Sequence, residues 1–193
     1  NSDTAGETIS FANLSASTFT SGTDTLTING LYGAESITAP TNIAATLNGL
    51  QGNDVLVGGN GADEFIGGIG ADTLTGNNGA DIFTWTTSGG NDSGLTESTA
   101  DTITDFVSGT DQLKLGLIGN GTSGSGNYVE AASAVASLNA AHAAANAALT
   151  SLNGTSSAAK LYSFQYDASN GYLFKDDNSC LLYTSPSPRD VEE

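Results

Sequence analysis

The sequence predicts a mainly β chain. Its centre is a solenoid of stacked coils, with a β cap, one alanine-rich helix and a C-terminal β-hairpin after it. Four nine-residue units run without a break from Gly49 to Thr84. Glycine supplies 25 of 193 residues without a collagen period, which favours turn-rich β structure. Short apolar-polar alternations bounded by glycine flank the repeats, as strands with tight turns do.

Residues 1–48 carry the alternations "ETISF", "DTLTI", "ESITA" and "NIAATL", punctuated by Gly22, Gly30, Gly33 and Pro40. They read as degenerate solenoid strands. Within them "NGLYGAESI" echoes "NGLQGNDVL" nineteen residues later, with Glu35 where Asp54 stands. The repeat block occupies 49–84. Residues 85–118 form the cap: a Thr/Ser/Gly loop, then "DTITDFVSGTDQLKLGLI", two strands about a Ser-Gly-Thr turn. "GNGTSGSGN" at 119–127 is a linker by composition. Residues 128–153 are rich in alanine and free of glycine and proline, and they predict a helix of about 20 residues. Alternating aromatics on both sides of Asn170-Gly171 predict a hairpin over 158–178. Residues 179–193 stand apart. "CLLYTSPSPRD" (180–190) holds the single cysteine and the single arginine. It resembles a translated sequencing adapter, so the fold is read without this artefactual tail.

Aligned, the units are GLQGNDVLV, GGNGADEFI, GGIGADTLT and GNNGADIFT. Position four is always glycine (Gly52, Gly61, Gly70, Gly79) and position six always aspartate (Asp54, Asp63, Asp72, Asp81). Position eight is large and apolar (Leu56, Phe65, Leu74, Phe83). Three closing residues suit a short strand whose middle side chain points inward. Six opening residues suit a turn in which glycine permits positive φ. Two units make one coil, so like loops stack every eighteen residues and the inward residues form a thin continuous core. Asp54 is then stacked on Asp72 along one edge, and Asp63 on Asp81 along the other.

Four basic residues against 21 acidic ones give a net charge of −17. Such a field repels nucleic acid and anionic lipid and attracts cations. Stacked carboxylates repel one another unless neutralised, and the repeat block contains no lysine or arginine. An oxygen-only donor set with carbonyls exposed at glycine turns favours Ca2+ over Mg2+, which demands tighter octahedral geometry. Zinc and copper would want imidazole or thiolate, and the block has neither.

The consensus G-G-x-G-x-D-x-U-x, with U large and apolar, marks the RTX (haemolysin-type) calcium-binding repeat of bacterial proteins exported by type I secretion. Gly49–Thr84 resembles it. The second and third units match throughout; the first has Leu50, and the fourth Asn77, at the second glycine. "DTITDFVSGTDQLKL" resembles the segment that closes the roll in serralysin-like and surface-layer members. The resemblance implies a parallel β-roll (β-solenoid) with calcium between loops eighteen residues apart. Its ligand pattern falls on Leu50, Gly52, Asp54, Gly67, Ile69 and Asp72 for one site. For the second it falls on Gly59, Gly61, Asp63, Gly76, Asn78 and Asp81. Side chains at Leu50 and Asn77 are expected to strain their turns. A third site pairing Glu35 with Asp54 is disfavoured by the nineteen-residue offset. Asp101, Asp105 and Asp111 could add calcium ligands, but the expectation is solvation at strand ends.

No H-E-x-x-H helix and no G-x-S-x-G nucleophile turn occurs, and His142 stands alone in the helix, so no enzyme is expected within these residues. "GNGTSG" matches a dinucleotide-binding pattern by letters only, without a surrounding βαβ unit. No apolar run reaches the length of a membrane span. The chain begins without methionine, which points to a longer reading frame or to processing. The expected function is a calcium-folded C-terminal module of a secreted, extracellular protein from a Gram-negative-type bacterium. The alternatives are a surface-layer or adhesin module and the non-catalytic tail of a secreted protease or lipase. The implied partners are calcium ions and the type I secretion machinery, with self-association or a cell surface beside them.

Overall fold

In a computed structural model, the residues described are 8–10, 26–85, 93, 98–114, 128–130, 133–153, 162–166, 170–175 and 179–183. The roll is built from β1 (Thr8–Ser10), β2 (Leu26–Asn29), β3 (Ser36–Thr38), β4 (Ala45–Gln51) and β5 (Val55–Val57). It continues through β6 (Glu64–Ile69), β7 (Thr73–Thr75), β8 (Ile82–Thr84), β9 (Asp101–Ile103) and β10 (Gln112–Lys114). Successive strands alternate between two sheets. One runs β1-β3-β5-β7-β9 and the other β10-β8-β6-β4-β2, with every neighbouring pair parallel. This is the expected parallel β-solenoid.

Register follows from the inward residues. Ile37, Leu56, Leu74 and Ile103 are partnered in sequence along one sheet. Along the other, the column is Ile28, Leu47, Phe65, Phe83 and Leu113. All but Leu113 are buried, and it packs partly buried against the same cluster. Phe65 and Phe83 stack with centroids 5.0 Å apart, and Phe106 tilts against Phe83 at 6.2 Å. A slip of one residue would turn a column outward, so burial fixes the register.

Three details differ from the sequence expectation. Strands β9 and β10 do not face each other across their turn. They join opposite sheets and add one more coil, because Ile103 and Leu113 each continue an inward column. The helix α1 spans Leu138–Asn153, and Tyr128–Glu130 forms strand β11 instead of its first turn. Ser137 explains the later start: its carbonyl accepts from Ala141 N–H at 2.9 Å and its hydroxyl from Ala140 N–H at 3.3 Å, an N-cap. The hairpin forms as β12 (Tyr162–Tyr166) and β13 (Gly171–Lys175), antiparallel. Ser179–Tyr183 of the excluded tail forms β14, between β9 and β13. A free sheet edge pairs through backbone groups, and this uncharged, apolar pentapeptide supplies them. Strands β14, β13, β12 and β11 thus extend the first sheet past β9. Helix α1 lies on that extension, with Ala141 and Ala145 buried against Tyr172 and Phe174, and His142 stacked on Phe174 at 5.7 Å. The linker at 119–127 lies outside the described residues. Among the described residues, no helix is long and apolar enough to cross a membrane.

Candidate metal centre

The turns between strands bring the acidic residues into two ladders. Glu35, Asp54, Asp72 and Asp101 follow one another along one edge, the first three immediately before their strands and Asp101 as the first residue of β9. Asp63, Asp81 and Asp111 do so along the other, and Ala45 takes the equivalent place one coil before Asp63. One carboxylate oxygen of each aspartate accepts the backbone N–H of the preceding rung. On the first edge these bonds are Glu35 to Asp54 at 2.7 Å, Asp54 to Asp72 at 2.8 Å and Asp72 to Asp101 at 2.9 Å. On the second they are Ala45 to Asp63 at 2.7 Å, Asp63 to Asp81 at 2.8 Å and Asp81 to Asp111 at 3.0 Å. Asp54 therefore does stack on Asp72, and Asp63 on Asp81.

The other oxygens divide the rungs into two kinds. Oδ2 of Asp63 accepts from its own loop, Gly59 N–H at 2.7 Å. Oδ2 of Asp54 and of Asp81 is buried with no hydrogen-bond donor among the described residues. Asp101, Asp105 and Asp111, in contrast, use both oxygens. Asp101 Oδ2 accepts from Trp85 Nε1 at 2.7 Å. Asp105 takes Gly76 N–H and Asn77 N–H at 2.8 and 2.7 Å, and Asp111 Oδ2 takes Val107 N–H at 2.8 Å. The expectation that these three are solvated is corrected for Asp101, which is fully buried, and all three bind backbone of the roll. Their signal was in the sequence. Asp101-Thr102-Ile103 and Asp111-Gln112-Leu113 repeat the acid-x-apolar ending of the units; Gly109 stands two residues before Asp111 as in the units, whereas Thr99 takes that place before Asp101. Trp85 carried no such signal, since its partner lies 16 residues away.

Burial dominates the electrostatics. It pushes the Asp54 carboxyl from 3.8 up to about 6; the Glu35 N–H opposes the rise and the Glu35 charge adds to it. Burial likewise raises Asp81 to about 6 against the Asp63 N–H, with the charges of Asp111, Asp63 and Asp105 adding. Asp63 is raised by burial, opposed by hydrogen bonds from Gly59 and Ala45. Lys114, the one lysine among the repeats' neighbours, faces Glu64 on the exterior at 3.5 Å and reaches none of these carboxylates.

Whether the turns fit a hard cation shows in the space beside the Oδ2 atoms of the repeat aspartates. A Cβ on Gly49 would collide with Asp54 Oδ2, one on Gly67 with Asp72 Oδ2, and one on Gly76 with Asp81 Oδ2. Only glycine leaves these carboxylates their place. The carbonyls of Leu50, Gly52 and Gly67 lie between the first pair of loops, against Gly68, Gly70 and Gly49. In the second pair, Gly61 and Gly76 carbonyls lie against Gly79 and Gly58, and Gly59 O accepts from Asn78 N–H at 3.3 Å. Ile69 O accepts from Gly52 N–H at 2.8 Å. Each set of six sequence-derived residues is thus brought together in one stacked loop pair. Among the described residues no three acidic, histidine or cysteine side chains converge on a point, so any cage must be completed by carbonyls. The donor set fits an oxygen-seeking ion of high coordination number. Leu50 and Asn77 take φ of 76° and 65°, the strained left-handed turns expected of them.

A protein-family model described as Peptidase M10 serralysin C terminal matches residues 8–171. No curated protein matches the chain. The match spans both sheets, both ladders and the helix, and it makes the chain a member of the serralysin C-terminal family, the parallel β-roll region of serralysin-type secreted proteases.

Proposed function

We propose that this β-roll is a calcium-binding, calcium-folded tail of a secreted protease. The observation that carries the reading is the pair of stacked, buried aspartate ladders, in which Asp54 and Asp81 each keep an oxygen without a hydrogen-bond partner among the described residues. One ion sits between the loops of Leu50, Gly52 and Asp54 and those of Gly67, Ile69 and Asp72. A second sits between Gly59, Gly61 and Asp63 and Gly76, Asn78 and Asp81. Aspartates and carbonyls hold the ion, and the ion supplies the positive charge that lets the carboxylates remain ionised in a dry turn.

Ion binding then adds directly to folding free energy. Free calcium at a hundredfold excess over Kd contributes about 2.7 kcal/mol per independent site. Low cytosolic calcium keeps the chain loose for export through a type I machinery, and extracellular calcium closes the roll. The family match supports a protease tail over the surface-layer and adhesin alternatives, and it leaves catalysis to other parts of the parent protein. Circular dichroism during a chelator titration at neutral pH is the test. Loss of β signal on chelation, restored by calcium but not by magnesium, is expected. An unchanged β signal in excess chelator overturns the proposal.

A further inference from the structure

The nineteen-residue offset upstream of the repeats has a definite location. Ile28 to Ile37 spans nine residues, as Leu47 to Leu56 does, whereas Ile37 to Leu47 spans ten. The extra residue therefore sits in the turn of residues 39–44, on the edge opposite Glu35. Gly30-Leu31-Tyr32-Gly33-Ala34-Glu35 is left as an intact six-residue loop that copies the next one. Gly33 N–H donates to Gln51 O at 2.8 Å, as Gly52 N–H donates to Ile69 O at 2.8 Å. Gly33 has φ 147°, beside 137° for Gly52 and 147° for Gly70.

The acidic groups of this loop pair converge. Asp54 Oδ2 stands over Gly49, the Glu35 carboxylate stands over Gly30, and the Gly49 carbonyl stacks on Gly30. Glu35 Oε2 accepts from Leu31 N–H at 3.1 Å, which leaves Oε1. That atom and Asp54 Oδ2 are both buried with no hydrogen-bond partner among the described residues, on residues 3% and 1% exposed. Two carboxylates desolvated together need a counter-charge, and no lysine or arginine lies in either loop. The opposite edge has no equivalent, because Ala45 occupies the acid's place there.

We infer that Glu35 and Asp54 bind a further calcium-type divalent cation between these loops, a site outside the nine-residue aspartate motif. By position, the carbonyls of Leu31, Gly33, Gly49 and Gln51 complete it. The inference rests on the calcium reading of the ladders, and the test separates the two. Equilibrium dialysis with radiolabelled calcium counts ions on the full chain, on Glu35→Gln and on Glu35→Asp, with circular dichroism to verify folding. Glu35→Gln should bind one ion fewer per chain, and Glu35→Asp should keep the full count. A parent chain that binds no calcium overturns the calcium reading altogether. If the parent binds calcium and Glu35→Gln binds as many ions, only the Glu35 site is overturned. Should Glu35→Gln fail to fold, parent crystals grown with terbium decide. An anomalous peak between Glu35 and Asp54 supports the site, and peaks confined to the other loop pairs overturn it.

Discussion

The repeat turns and the closing coil place the same residue at the same rung and treat its charge in opposite ways. Asp54 and Asp81 keep one buried oxygen bare, whereas Asp101 spends both oxygens, on Asp72 N–H and the Trp85 indole. Asp105 and Asp111 are likewise filled by backbone donors. A buried carboxylate can be stabilised by fixed hydrogen bonds or by a mobile cation. Only the second solution makes folding depend on the surroundings. The roll therefore joins a conditional segment to a closing coil whose aspartates Asp101, Asp105 and Asp111 are satisfied within the chain.

Substitutions on the two sides should separate these solutions. Asp101→Asn turns an amide N–H toward a donor and removes charge-assisted hydrogen bonds, so a loss of about 3 kcal/mol is expected in urea unfolding. That deficit should persist at every calcium concentration. Asp81→Asn removes a ligand instead, and its deficit should shrink as calcium is raised. Equal calcium dependence in the two variants would erase the distinction.

Acidity gives a second, smaller contrast. Folding raises Asp54 and Asp81 from 3.8 to about 6, so the metal-free roll takes up protons as it forms. The stability these two groups contribute is fully present below the unfolded value of 3.8 and is lost as pH rises through about 6. Chelated protein should thus have a higher urea midpoint on the acid side of that range than at neutral pH. Calcium, which needs the ionised carboxylates, should flatten or reverse the trend. A chelated midpoint that rises with pH would contradict it.

The smallest effect concerns backbone strain within the conditional segment. Leu50 holds φ 76° and is 37% exposed. Leu50→Gly should stabilise the calcium-loaded roll by about 0.5 to 1 kcal/mol, since the left-handed penalty outweighs the entropy of an added glycine. Thermal unfolding in saturating calcium measures it.

Much of the roll was legible because its chemistry repeats. The position-eight residues announce the inward columns, and the period of eighteen alone pairs Asp54 with Asp72. What stayed hidden depends on where a length difference falls. The offset between Glu35 and Asp54 looks the same whichever turn holds the extra residue, and only the register of Ile37 and Leu47 locates it. Asp101 was misread because its indole partner is remote in sequence. Strand β11 was misread because helix propensity is a weak prior beside an open strand edge, and Tyr128–Glu130 pairs with Tyr162–Phe164.

The surplus residue in the turn of 39–44 has a consequence for how such a molecule can vary. Coils rise along the axis by the spacing of paired backbones, about 4.8 Å, whatever contour each coil follows. Added length therefore swells the girth of one corner and leaves the pitch untouched. Corners of this solenoid can accept insertions, provided they fall on the side where no neighbouring pair of acids is being aligned.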